Sequence, residues 1–234
     1  MMLSSLLHTP LFGITLTLVA YELATCIYRR WPLALFNPVI LTAGFIIWLL
    51  SRFDIPYTEY AKGGDILLFF LGPAVVALGV PLYQRRAEIV SRLIPILSAV
   101  AAGALASIVS ATGILLLFGS DTDMLLSMAP KSVTTPIAIG IADKIGGIVP
   151  LTAAIVVITG CFGAMVGPEF CRLVKIRDPF AMGLAMGTAA HGLGTGRMLE
   201  IDRFGGAMAG LAIGLNGVIT AAIIPIFVAL LDIV

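Results

Sequence analysis

The chain has 234 residues, 59% of them hydrophobic and only 12% charged, whereas a soluble domain carries about 25% charged residues. With a mean hydropathy of +1.08 it reads as an integral membrane protein, and a net charge of +1 with no Lys/Arg-rich tail excludes a nucleic-acid partner. Cys26, Cys161 and Cys171 are odd in number and lack C-x-x-C spacing, so they read as small core hydrophobes, with neither a disulfide framework nor a zinc centre.

A spanning helix needs about 20 mostly apolar residues, and dividing the chain at its charged clusters yields a consistent set. Leu6 to Tyr28 comes first; it has no cationic leader and carries Glu22, so it reads as a retained helix rather than a cleaved signal. Pro38 to Leu50 follows, opened by Asn37-Pro38, and then Ile66 to Tyr83, interrupted by Gly72-Pro73 and Gly79-Val80-Pro81. Ile94 to Phe118 is rich in Ala, Gly and Ser, a composition that lets helices approach closely. Beyond Asp121 and Asp123 lies a polar interruption, Pro130 to Ile148. Ile148 to Phe170 spans again, Phe180 to Met186 leads into a second interruption at Gly187 to Arg197, and Ala207 to Leu231 closes a single transmembrane domain covering 1–234.

Lys and Arg collect on the cytoplasmic side. Placing Arg29-Arg30, Arg85/Arg86/Arg92 and Arg172/Lys175/Arg177 inside puts Ser120 to Ala129 outside. The Pro130 stretch then starts and finishes on the outer side as a re-entrant hairpin, and the Gly187 stretch enters from the cytoplasm. Two broken segments dipping in from opposite faces are what an inverted repeat produces. The alternative, in which each interruption is a full span of two half-helices, also brings them together near the midplane.

In lipid, non-helical backbone survives only where protein buries it or where it lines a cavity, so the two interruptions read as a binding site. In the first, Lys131, Ser132, Thr134, Thr135 and Pro136 crowd into a few residues. Thr135 as a cap with Pro136 at the first helical position would aim free amides ahead of them, an anion site in miniature. The plainer reading has Lys131 snorkelling and the hydroxyls satisfying a tight turn. In the second, Gly192, Gly194 and Gly196 permit positive φ and close approach, Thr188 and Thr195 add hydroxyls, and Arg197 offers a planar fork suited to a carboxylate. His191 and Glu200 are candidate proton carriers, although Arg197 and Glu200 at i, i+3 equally suit an ordinary intrahelical pair. No strand precedes the glycines, which argues against a dinucleotide cofactor. Without a G-x-S-x-G motif or a pair of acids, no enzyme activity is expected. Glu22, Asp143 and Asn216 are expected to pair inside the bundle.

Three stretches, PAVVALGVPLY (73–83), PKSVTTPIA (130–138) and GTAAHGLGTGRMLE (187–200), closely resemble the LrgB/CidB family of bacterial inner-membrane proteins, and the match runs nearly end to end. One departure is Ala190, where the family often carries a hydroxyl residue. The resemblance implies an all-α, polytopic fold with inverted repeats like those of cation/proton antiporters and bile-acid symporters. It also implies a small LrgA/CidA-type holin-like partner and a role either as an antiholin-like regulator of murein hydrolase export and cell lysis or as a carrier of pyruvate, glycolate or glycerate. The expectation is a multi-pass, homo-oligomeric carrier for a small monocarboxylate, without metal or cofactor, its substrate held between the two interruptions.

Overall fold

The computed structural model describes residues 8–31, 36, 38–70, 73, 76–77, 79–84 and 86–230, and among these all regular structure is helical. The expected ends at Leu6 and Leu231, the Asn37 cap, and Gly72, Ala74, Val75 and Leu78 of the third broken stretch lie outside the described residues. Among the described residues four helices are long and apolar enough to cross a membrane: α1 (Pro10–Arg30), α6 (Leu93–Leu117), α9 (Val149–Leu173) and α11 (Arg203–Leu230). This is a polytopic all-α membrane protein. The chain divides into two compact units, Met1–Ala77 and Leu78–Val234.

In the first unit α1 packs against α2 (Pro38–Arg52) and α3 (Tyr57–Phe69). Glycine sets the α1–α3 crossing. A Cβ on Gly13 would run into the Tyr60 carbonyl and the Gly63 backbone, and one on Gly63 into the backbone of Pro10, Gly13 and Ile14. Close backbone approach through small residues is how helices associate where no hydrophobic drive exists between them. Thr17 adds a polar tie, donating to the Gly13 carbonyl at 2.7 Å and lying 3.0 Å from the Tyr60 hydroxyl. The helix expected from Ile66 begins instead at Tyr57. Glu59 is matched there by Lys62 Nζ at 2.6 Å and His8 Nδ1 at 3.1 Å. Glu22, expected to pair inside a bundle, is exposed on α1.

In the second unit, α4 (Gly79–Gln84) and α5 (Arg86–Ser91) lead into α6. Then come α7 (Thr122–Met128), α8 (Thr135–Ile145), α9, α10 (Pro179–Ile201) and α11. The first interruption is a hairpin: α7 ends, residues 129–134 turn, and α8 returns until Gly146, at φ 87°, closes it with a left-handed cap. The return is pinned by the Ile148 amide, which donates to Ser127 Oγ at 2.7 Å, and by Thr152 Oγ1, which donates to the Ser127 carbonyl at 3.0 Å. The helix starts one residue earlier than the sequence suggested. Thr134 is the N-cap, Thr135 the first helical residue and Pro136 the second, a place where a missing N–H is as harmless as at the first.

α10 is a hairpin as well. It reverses at His191 (φ 40°, ψ −130°), giving α10a (179–190) and α10b (192–201). Gly194 makes the fold-back possible, since a Cβ there would meet the Met186 carbonyl and Ala190. The returning Met198 packs with Met182, Met186 and Cys171. α10a lies alongside α6 and α11, with Ile96, Val100, Phe180, Leu184, Met208 and Ala212 forming one core. It runs against α9, where Gly160, Gly163 and Gly167 face His191, Ala190 and Met186 in turn. The sequence of elements recurs: α6 and α9 each span 25 residues and each precedes a broken hairpin, at an offset of about 56 residues. Arg92 lies 5.0 Å from the Phe180 ring centroid, and Arg172 and Arg177 flank Pro179, so these basic residues gather at one end of the unit.

Gly63→Ala is expected to destabilise the first unit by about 1–3 kcal/mol through overpacking. Gly44→Ala, where an added Cβ meets nothing within 4 Å, should stabilise its helix by up to about 1 kcal/mol. Thermal unfolding of the two variants in detergent, followed by circular dichroism, checks the contrast.

Candidate functional site

Small residues keep one face of α6 low. Ala99, Gly103, Ala106 and Ser110 recur there every three or four positions, and Ser107 borders the same face. Opposite them stand Leu184, Ala185, Thr188 and Ala189 of α10a, and the first hairpin turn contributes Lys131 and Ser132. Between these walls lies a cavity of about 650 Å³, within the range of small-molecule sites.

Its polar groups converge at the first turn. Lys131 Nζ donates to Ser107 Oγ at 3.0 Å and lies 3.5 Å from Ser132 Oγ. The Ser107 and Ser132 hydroxyls are 2.5 Å apart, and Ser110 Oγ donates to the Ser107 carbonyl at 3.3 Å. Among the described residues no carboxylate stands within ion-pair distance of Lys131. Among the described residues its polar partners are the hydroxyls of Ser107 and Ser132. A group able to bring a negative charge into the cavity has a ready partner.

Behind the cavity, the two hairpins meet on one side chain. Asn216 of α11, 1% exposed, donates through Nδ2 to the Ser132 carbonyl at 3.0 Å and to the Thr188 carbonyl at 3.1 Å. Of the three polar residues expected to pair inside the bundle, Asn216 does so, whereas Asp143 is exposed, as Glu22 is.

Of the residues marked in the sequence, the cavity brings together Lys131, Ser132 and Thr188. Thr134, Thr135 and Pro136 start α8 and do not border it. Gly192 is exposed and Gly194 is taken up by the fold-back. Thr195 Oγ1 donates to the His191 carbonyl at 3.1 Å. Arg197 Nη1 binds Glu200 Oε2 at 2.6 Å, the ordinary i, i+3 pair. His191 is buried with Nε2–H donating to the Val156 carbonyl of α9 at 3.0 Å; a carbonyl only accepts, so Nε2 carries the proton. Its ring occupies the space left by the missing side chain of Gly160. The histidine thus anchors the reversal of α10 to α9. Ser107 and Ser110 escaped the sequence reading; their signal was two hydroxyls three residues apart on an Ala/Gly face.

Gly160→Ala is expected to push the imidazole off α9 and to cost about 1–3 kcal/mol, and this cost should largely vanish in a His191→Ala background. A double-mutant cycle on melting temperature measures the coupling.

The model of the LrgB-like family matches residues 17–230. An uncharacterized protein of Bacillus subtilis (strain 168), YxaC, is 38% identical over 220 residues, covering 94% of this chain and 96% of that protein. No solved structure matches.

Proposed function

The chain belongs to the LrgB-like family, and from that premise we propose that it carries a small monocarboxylate of the pyruvate, glycolate or glycerate kind across a bacterial inner membrane. The observation that supports this reading is Lys131: a cation without a carboxylate partner among the described residues, set beside the hydroxyls of Ser107 and Ser132 on a cavity that Thr188 also lines and where two broken helices converge. A monoanion cancels that single charge and leaves the loaded site neutral, whereas a dianion leaves a net charge to be moved through lipid. The hydroxyls and the turn supply directional donors, and the apolar wall of α10a suits a short carbon chain.

The recurrence of helix and broken hairpin suits alternating access, in which two similar halves expose one midplane site to each side in turn. With the basic end of the second unit in the cytoplasm, importing a monoanion against an inside-negative potential costs about 2.3 kcal/mol per 100 mV, so uptake couples to a proton or another cation. An LrgA/CidA-like membrane protein is the proposed companion.

Purified protein in liposomes, with and without that companion, is expected to take up a radiolabelled monocarboxylate saturably. Lys131→Gln should raise KM about tenfold or more, the equivalent of one charge-assisted hydrogen bond. Lys131→Arg should retain part of the affinity. Non-selective leakage of an entrapped dye, indifferent to Lys131, would instead identify a holin-like pore and sink the carrier reading.

A further inference from the structure

We propose that Asn216 is the positioning residue that couples the two hairpin turns, so that Ser132 and Thr188 are set as a pair and not independently. The carboxamide is fully committed: Nδ2 serves the Ser132 and Thr188 carbonyls, and Oδ1 accepts from Thr220 Oγ1 at 3.3 Å. Both main-chain partners are acceptors, which fixes which end of the amide faces them. A planar group held at three points has one geometry, and its two N–H directions fix the separation of the two carbonyls.

Those carbonyls lie 84 and 28 positions away along the chain, one in each broken element, and both residues border the cavity. A ligand that draws Ser132 inward must therefore either break a buried hydrogen bond or carry Thr188 with it. Leaving a buried donor unmatched is the more costly course, so the turns move together. The coupling rests on the carrier reading only for its effect on uptake.

The test is amide hydrogen exchange in lipid nanodiscs. Asn216→Leu, which removes both donors and the acceptor, is expected to speed exchange about tenfold in the turns at 129–134 and 188–193 together, with α6 and the far half of α9 unchanged. Acceleration of one turn alone, or of neither, overturns the proposal. A second measurement needs no substitution and decides the matter if the variant does not fold. In the unaltered chain the two turns should open as one cooperative unit with a common opening free energy across a temperature series, and two distinct values overturn the coupling. In uptake, Asn216→Leu should lower the maximal rate more than it changes KM. If no carboxylate is carried at all, the carrier reading fails while the exchange data still decide the coupling.

Discussion

Backbone amides and carbonyls freed by a broken helix have no water to turn to inside a bilayer, and the second unit is organised around satisfying them. Asn216 answers two carbonyls at once. Ser127 receives the Ile148 amide and offers its own carbonyl to Thr152. Gly146 and Asp202 finish the job at the helix ends, the first as a left-handed cap and the second by accepting the Gly205 amide at 2.7 Å. Each tie joins segments distant in sequence or closes a helix end, so meeting the backbone's demands and building the tertiary fold are the same act.

The cavity follows from that arrangement. It runs alongside α10a from Phe180 to Ala189 and reaches the first turn at Lys131 and Ser132, and α6 keeps that room open with Gly103 and its alanines instead of filling it with larger side chains. A Cβ on Gly103 would already press on Thr188, so the helix approaches α10a as closely as a side chain allows at that level. Lys131 then sits where a turn, two serines and open volume coincide. Its Nζ finds the Ser107 hydroxyl there.

Local features were the legible ones. Pro130, Pro136 and the Gly187–Gly196 run announce breaks in hydropathy that any reading of the chain detects, and both become hairpins near the positions expected. What failed was decided elsewhere in the molecule. Nothing around His191 says that its ring will turn onto α9, because the vacancy it fills belongs to Gly160. Thr134 and Thr135 both carry a hydroxyl and both precede Pro136, so local chemistry leaves the cap uncertain by one residue. The helix expected from Ile66 starts at Tyr57, where Lys62 and His8 close on Glu59. Asn216 could be seen as a polar residue needing partners, but not which ones.

The placement of Asn216 on the helix that follows both hairpins has a bearing on biogenesis. Seven and eleven residues, the lengths of α7 and α8, are too few to span a bilayer unaided, so neither can be handed to the lipid as an independent segment during synthesis. While only the preceding chain has been made, the Ser132 and Thr188 carbonyls lack the donor that serves them in the finished fold. Arrival of α11 supplies it to both at a stroke, so the first hairpin and the reversal of α10 are locked together only once that helix has been made.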